Sequence, residues 1–594
     1  MAAHTRSRSR RHKPLPTAPQ SRARPLYAEA ALTDSPRLRL ISVWLLLLAG
    51  MIAVSIRLAY LQLAIGDDLH TMAKEQQAIQ ATPQISRRQI VDLQGNVIAM
   101  DQVVYTLFVH PMLFKKTNKE VAQMLSPVLE RAPKDLSKLF AQQESGIEVG
   151  TDISEETAKR LKSLRLDGLE LVASPKRFYP QGDLFSQVTG YVDLDGSPGG
   201  GIELDLQDKL KYDDPKAGEA MPLQQVTRDD SQLQLTLDSR LQRIAQENLA
   251  ITVSKFGAKR GTAIVMDSRT GAILTLAVAP TYDPNKYFDA NIEYFKNWAV
   301  SDLYEPGSTF KPINVAIALE NNSIDPNDTV YDEGQIFVGE WPIQNVDFSS
   351  GGGRGTLSIT DVLRYSSNVG MVHIMQRLQR STYYDWLEKL GLGKPTGIDL
   401  PGEAVGQIKT RQQFVDGPIE AATTAFGQGF SLTPIQLVQL HATLANGGKL
   451  VTPHVVRGLI NTDKELTWTP DLEAPRQLFS PETTGEVLNM MKAVVDDGTG
   501  SASKIDGYQI AGKTGTAQKA TEYGSYGNQR ITSFVGIAPV SDPHYVVLVV
   551  VDEPQGENSY GGTVAAPLVK KILESLVVLE GIEPDGTAPS SLPA

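Results

Sequence analysis

The sequence predicts an α+β protein carried on a single N-terminal membrane helix. Three observations carry that reading. A long uncharged apolar run lies near the start of the chain. Strand-like runs cluster at both ends of residues 231–580, around a long helical middle. Pro- and Gly-containing breaks punctuate the stretch between anchor and helical region. Strands gathered from two ends of one segment, with helices between, describe an α+β domain rather than an alternating βαβ array.

The apolar run comprises residues 40–56, seventeen positions without a charge, then Arg57, then the mostly apolar 58–65. A spanning helix needs about 17–25 residues, and Arg57 can snorkel to an interface on its long stem. Residues 40–65 are therefore the expected anchor. Residues 1–39 hold nine Lys/Arg against Glu29 and Asp34 and are rich in Pro, Ser and Ala, so a disordered basic tail is expected. Basic flanks stay in the cytoplasm, which places the rest outside. A cleaved signal peptide is the rival, but no small-residue cleavage site follows the run. Arg10-Arg11 lies too far upstream to act as a twin-arginine signal for it. The formal charge of −11 argues against nucleic acid as a partner. The chain has no Cys, its eight His are scattered, and no H-E-x-x-H occurs, so no metal or other cofactor is expected.

Residues 66–230 read as a spacer or docking module without a chemical constellation, with a short helix over 155–164. A second unit spans 231–580. It opens with a strand end at 235–238 and a helix over 239–249, where Leu241, Ile244 and Leu249 share a side. Apolar runs 261–266 and 272–278 flank Asp267-Ser268-Arg269-Thr270-Gly271, which has hairpin-turn chemistry. Further strands are expected at 508–518, 531–538 and 545–551, and a helix at 567–579. Residues 581–594 read as a loose tail.

Three motifs carry chemistry. Ser308-Thr309-Phe310-Lys311 follows Glu305-Pro306-Gly307 and precedes an apolar-periodic stretch, so Ser308 falls in a first helical turn. Lys311, three residues on, shares its face. A serine hydroxyl needs a neighbouring base to become nucleophilic, and a desolvated lysine is neutral enough to serve. Ser366-Ser367-Asn368 sits between two helix-like stretches. A hydroxyl there can relay a proton and an amide can hold the lysine, though an N-cap pair has the same composition. Lys513-Thr514-Gly515-Thr516 lies on a strand. Lys513 supplies fixed positive charge, and Thr514 and Thr516 supply hydroxyls for a carboxylate. Gly515 lets a ligand approach the backbone, and the Thr516 and Ser308 N–H groups suit an oxyanion.

Each motif alone is weak. Ser501-Ala502-Ser503-Lys504 repeats the first inside a Gly-rich loop, and residues 507–514 match G-x-x-x-x-G-K-[ST] without the helix that a phosphate loop requires. The order S-x-x-K, S-x-N, K-T-G, with gaps of 58 and 147 residues, is what gives them weight. The chain resembles the class B penicillin-binding proteins, the peptidoglycan D,D-transpeptidases. Supporting stretches are Leu235-Thr236-Leu237-Asp238, 261–284, 424–434 with Phe426-Gly427-Gln428-Gly429, and 530–539. In the spacer they are 179–191, Gly200-Gly201-Ile202-Glu203 and 87–99, where Arg88 and Leu93 replace the family's usual glycine and arginine.

The resemblance implies an elongated pedestal (dimerisation-type) domain over 66–230 and a β-lactamase-like transpeptidase domain over 231–580. It implies a periplasm-facing, single-pass protein of the inner cell membrane. Ser308 would acylate on D-Ala-D-Ala stem peptides of peptidoglycan and pass the acyl group to a neighbouring stem's amine, and β-lactams would mimic the donor. Lys311, Ser366, Asn368 and Lys513 would be catalytic, and Thr514, Gly515 and Thr516 would bind substrate. The division-specific (septal, FtsI-like) type fits best. It implies a SEDS-family glycan polymerase and other division proteins as partners, with the elongation-specific relative as the alternative.

A β-lactamase or carboxypeptidase would pass the acyl group to water. Glu403, the nearest match to a deacylating glutamate, is instead expected in a Leu400-Pro401-Gly402-Glu403 turn. A non-catalytic division scaffold would have no use for three intact motifs. A β-lactam sensor would need a cytoplasmic signalling domain.

Overall fold

The computed structural model describes residues 36–64, 87–212, 230–520 and 526–585. The basic tail up to residue 35, the segment following the anchor and the end of the C-terminal tail lie outside the described residues. The anchor forms a helix, Pro36–Ala59, that runs on through a wider helical turn, Tyr60–Ala64. Its apolar stretch Ile41–Leu63 is 23 residues long and wholly unburied. At about 1.5 Å per residue that length crosses the hydrocarbon core of a bilayer. Among the described residues it is the one helix long and apolar enough to cross a membrane.

In the spacer, the long strand Val97–Val109 pairs antiparallel with Ile147–Ile153 and with Leu169–Phe178. Helices Asn118–Leu129, Pro133–Phe140 and Glu155–Ser163 cover this sheet. Their buried Leu125, Leu136, Phe140 and Leu161 meet Leu107 and Val109 from the strand. Thr117 and Glu120 form a reciprocal capping box on the first helix, and Ser154 caps the third, as their residue types favour.

The sheet does not stop at the spacer. Val97–Val109 pairs with Ile90–Val91, which runs parallel to Gln232–Leu235; that strand pairs with Val456–Ile460, and Leu466–Trp468 completes seven strands. One ladder therefore joins the two segments that composition separates near residue 230. Beside it, Glu203 is fully buried and holds two guanidinium groups, Arg87 at 2.8 Å and Arg177 at 2.6 Å. Arg177 also meets Asp101 at 3.0 Å. Arg88, unusual at its position, donates to Ser231 Oγ and to the carbonyls of Lys209 and Lys211. The turn at Gly95 closes normally, with its N–H on the Asp92 carbonyl.

The larger domain is built on a five-stranded antiparallel sheet in the order Ala511–Ala520, Tyr526–Ala538, Tyr545–Asp552, Arg260–Asp267, Ile273–Ala279. The central strand is an almost unbroken β-branched run, and all eight of its residues are buried, so both faces of the sheet are covered. Val547, Val549 and Val551 pack under helices Ser239–Lys255 and Ala566–Leu579. Val546, Leu548 and Val550 face the helical layer that includes Lys311–Glu320 and Pro434–Ala445. The 508–518 strand begins later than the sequence suggests, at Ala511. Residues 505 and 508 bridge across a tight turn in which Gly507 has φ +83°, so Tyr508 belongs to the turn.

Replacing Glu203 by Ala leaves two buried guanidinium groups with one partly exposed carboxylate. Denaturant titration of the variant is expected to show a loss of about 3–5 kcal/mol, the usual cost of stranding buried charge. A loss below about 1 kcal/mol would mean the cluster is hydrated and contributes little.

Candidate active site

The Ser308 turn is made by backbone close approach. Gly307 has φ +58° and opens a 3₁₀ turn, Gly307–Phe310, that continues into helix Lys311–Glu320. The Gly307 N–H donates to the Gly427 carbonyl at 2.9 Å. Gly427 has φ +84°, and a Cβ there would lie 2.0 Å from the Gly307 carbonyl oxygen. From below, His441 Nε2 donates to the Thr309 carbonyl at 2.8 Å. His441 is buried with no partner on Nδ1, and burial pushes its pKa down to about 4, so the ring is neutral. Glu305 accepts from the Gly429 N–H at 3.0 Å. Apart from the Phe426-Gly427-Gln428-Gly429 signature, nothing in the sequence marks these supports.

Lys311 is completely buried. Its Nζ donates to the Ser366 carbonyl at 2.6 Å, to Asn368 Oδ1 at 2.8 Å and to Ser366 Oγ at 3.3 Å. Residues three apart eclipse in a 3₁₀ turn, so Ser308 and Lys311 share a face as the spacing predicts. Among the described residues no hydrogen bond joins Lys311 to the Ser308 hydroxyl, because the amine is already held by the Ser366–Asn368 loop.

That loop resolves the ambiguity in Ser366-Ser367-Asn368. Ser367 is the N-cap of helix Asn368–Met375, accepting from Gly370 N at 2.8 Å. Ser366 is not a cap. It sits at φ +58°, a left-handed conformation rare for serine and common at functional sites, and its hydroxyl meets both lysines. Asn368 is fixed at three points: Oδ1 takes Lys311, Nδ2 donates to the Gln344 carbonyl at 3.0 Å, and its N–H donates to Asn345 Oδ1 at 2.8 Å. Buried Asn345 is in turn gripped by both oxygens of Asp332 at 2.9 Å. Asp332 and Asn345 belong to no recognisable motif.

Lys513 lies on the edge strand of the five-stranded sheet and is also completely buried. Its Nζ donates to Ser366 Oγ at 2.9 Å and to the Thr514 carbonyl at 3.1 Å. Among the described residues no carboxylate lies within ion-pair distance of either amine. Burial pushes Lys513 down to about 7, so its charge is not fixed near neutrality as its residue type suggests. Burial also holds Lys311 well below its ordinary value, with Lys513 acting in the same direction and Asp332 against it. Two ammonium groups on one hydroxyl repel, so each disfavours the charged form of the other.

The remaining strand residues pack against the turn that carries Ser308. A Cβ on Gly515 would lie 2.3 Å from Ser533 Oγ and 2.9 Å from Thr309 Cγ2, so glycine is needed there for contact within the protein as well as for any ligand. A Cβ on Gly307 would lie 3.3 Å from Ala517 Cβ and 3.7 Å from the Thr516 carbonyl carbon, so the turn that carries Ser308 runs beside the Thr516–Ala517 backbone. Thr514 Oγ1 bonds Thr499 Oγ1 at 2.9 Å, and Thr516 Oγ1 accepts from Gly561 N at 3.2 Å. The second S-x-x-K is a surface turn, Ser501–Ser503, as expected, and a strand rather than a helix follows the phosphate-loop match. Glu403 is spent closing its own turn, accepting from Thr396 N and Oγ1 and from Gly397 N.

A lysine whose folded pKa lies below its unfolded value of about 10.4 makes the folded state bind fewer protons than the unfolded one between those two values. Stability is therefore expected to rise from pH 7 to pH 9, by up to roughly 1.4 kcal/mol per pH unit for each such amine. Denaturant titrations at the two pH values should show this rise, and Lys513→Met should reduce it while leaving the Lys311 share. An unchanged slope in the variant would place the proton elsewhere.

Two family models match the chain: the penicillin-binding protein transpeptidase domain over residues 261–574 and the penicillin-binding protein dimerisation domain over residues 83–213. A peptidoglycan D,D-transpeptidase FtsI homolog of Mesostigma viride is 41% identical over 92% of this chain and 96% of its own length. Stage V sporulation protein D of Bacillus subtilis is 34% identical over 92% of this chain and 86% of its own. Among solved structures, penicillin-binding protein 3 of Mycobacterium tuberculosis, complexed with aztreonam, matches with TM-score 0.66 and 26% identity, covering 85% of this chain and 98% of that one. With the dimerisation domain, the transpeptidase domain and the lysine–serine–asparagine cluster all in place, the chain belongs to the class B penicillin-binding proteins.

Proposed function

We propose that the chain is a serine-type peptidoglycan D,D-transpeptidase of the septal type, and that the observation carrying its mechanism is the pair of buried amines on Ser366 Oγ. Lys311, neutral, takes the Ser308 proton as Ser308 Oγ attacks the penultimate D-Ala carbonyl of a donor stem. The oxyanion collects on the Ser308 and Thr516 N–H groups. Ser366 relays the proton that Lys311 took to the departing terminal D-Ala amine, which returns Lys311 to its neutral form, and the C–N bond breaks to leave an ester on Ser308. Asn368 holds Lys311 in place, while Lys513, protonated, and the Thr514 and Thr516 hydroxyls hold the donor's terminal carboxylate. An amine from a neighbouring stem then attacks the ester, gives up its proton through Lys311, and releases Ser308 with a new peptide bond.

The basic residues preceding the anchor support a cytoplasmic N-terminus and a catalytic domain outside the membrane. The relatives named as FtsI homologues support a role in division, and with it a membrane partner of the SEDS glycan-polymerase type.

Intact-mass analysis after penicillin treatment is expected to show one adduct, mapped to Ser308, that persists for many minutes and is missing from Ser308→Ala. Rapid loss of the adduct with release of hydrolysed drug would instead indicate a hydrolase. Depletion in the source cell should give filaments or unseparated chains, whereas rounded cells would point to the elongation role.

The second-order rate of acylation reports the free enzyme's groups. It is expected to fall above a midpoint near 7 as Lys513 loses its proton. In Lys513→Arg, which keeps its charge, the rate at pH 9 should stay close to that variant's own rate at pH 7. A wild-type profile flat from pH 6 to 9 would remove Lys513 from donor binding.

A further inference from the structure

One buried carboxylate near the serine–lysine cluster has no part in the proton transfers. Asp332 is 1% exposed, and among the described residues no cation lies within ion-pair distance of it. Taking a carboxylate out of water is costly unless its oxygens are met by donors. Here N–H groups meet them. Asn345 Nδ2 donates to Oδ1 and Oδ2, both at 2.9 Å, and the Gly334 N–H donates to Oδ1 at 2.7 Å. The Asn345 N–H in turn donates to the Gly334 carbonyl at 2.9 Å. These bonds close the neck of the hairpin made by strands Gln335–Val338 and Trp341–Gln344.

On its other side, Asn345 Oδ1 accepts from the N–H groups of Asn368 at 2.8 Å and Val369 at 3.2 Å. Both belong to the first turn of helix Asn368–Met375, where N–H groups have no partner within the helix. Main-chain N–H groups only donate. The Asn345 amide must therefore turn its oxygen to them and both of its own N–H bonds to residue 332. A side chain at 332 has to offer two acceptor oxygens at once, which a carboxylate does and an amide does not.

We propose that Asp332 is a positioning residue for acyl transfer: its charge locks the direction in which the Asn345 amide faces, and through that amide the aim of Asn368 on Lys311. Asn368 Oδ1 holds Lys311 at 2.8 Å, and Asn368 Nδ2 donates to the carbonyl of Gln344, the residue before Asn345. A turned Asn345 amide would set its N–H bonds against those of Asn368 and Val369, and Lys311 would lose a fixed partner. Burial and Lys513 disfavour the ammonium form of Lys311, whereas the Asp332 charge favours it, so the same carboxylate steadies the proton taken from Ser308. The role rests on the transpeptidase reading, in which Lys311 is the base. If Asp332 only closed the hairpin neck, its loss would lower stability and leave the acylation step unchanged.

The test follows acylation of the full chain in detergent micelles over a range of penicillin concentrations, which separates half-saturation from the first-order rate at saturation. Asp332→Asn should lower the saturating rate about thirtyfold while half-saturation stays within about threefold of the parent. Asn345→Asp should do the same, because two carboxylates then face each other. Combining the two substitutions exchanges carboxylate and amide. The helix N–H groups regain an acceptor at position 345, and the amide at 332 gives it one N–H and keeps its oxygen for Gly334. The combined variant should return to within about threefold of the parent's saturating rate. Should a single variant fail to fold, the combined one decides alone: that recovery upholds the proposal and its inactivity overturns it. Single variants within about twofold of the parent, a loss confined to half-saturation, or a combined variant no faster than the single ones would also overturn it. A parent chain that penicillin fails to label would remove the transpeptidase reading itself, and this role with it.

Discussion

Two lysine amines buried around one serine hydroxyl set the terms for the whole catalytic domain. Removing an ammonium group from water is expensive unless it is paired or loses its proton. Here neither amine has a carboxylate beside it among the described residues. The compensation comes from neutral oxygens: the Ser366 carbonyl and Asn368 Oδ1 on Lys311, and the Thr514 carbonyl on Lys513. Such acceptors solvate one charge adequately and two poorly. Burial with so few acceptors therefore pushes both amines toward their neutral forms.

Holding that cluster demands rigidity from parts of the chain with no chemical role. Ser366 is kept in a left-handed conformation by the helices on either side of it, and Asp332 fixes Asn345, which fixes Asn368. The nucleophile turn is clamped between glycines. Gly427 meets Gly307, Gly515 meets the Thr309 side chain and Pro306 carbonyl, and Gly561 meets the Gly515 backbone. At Gly427 and Gly561 a methyl group would displace backbone, and at Gly515 it would meet the Ser533 and Thr309 side chains, so the position of Ser308 relative to the edge strand is set by close packing on both.

Much of this could be read from residue types alone. The three motifs, the anchor and the strands near the two ends of residues 231–580 all carry local signals: spacing, apolar length and β-branched runs. What stayed hidden depends on contacts distant in sequence. Nothing near Gly427 shows that it touches Gly307, and nothing near Asp332 shows that it stands behind Asn368. Lys513 looks like a fixed cation until the structure buries it, because residue type specifies charge only in water. Arg88 departs from the family's glycine, yet the local turn survives because the guanidinium finds carbonyl acceptors at Lys209 and Lys211 and a hydroxyl at Ser231. The ladder shared by the two domains was equally invisible, since it is assembled from strands as far apart as Ile90 and Val456.

The five-stranded sheet takes two strands from residues 260–279 and three from residues 511–552. A polypeptide made from its N-terminus has therefore delivered Ser308, Lys311 and Ser366 long before Lys513 and its edge strand arrive. Until that moment the early hairpin has no partner strands, and the nucleophile turn has nothing to pack against. The unfinished chain lacks the assembled lysine–serine cluster until the edge strand is in place. Premature termination anywhere before the last strand would leave an inert membrane-tethered fragment rather than a partly working enzyme.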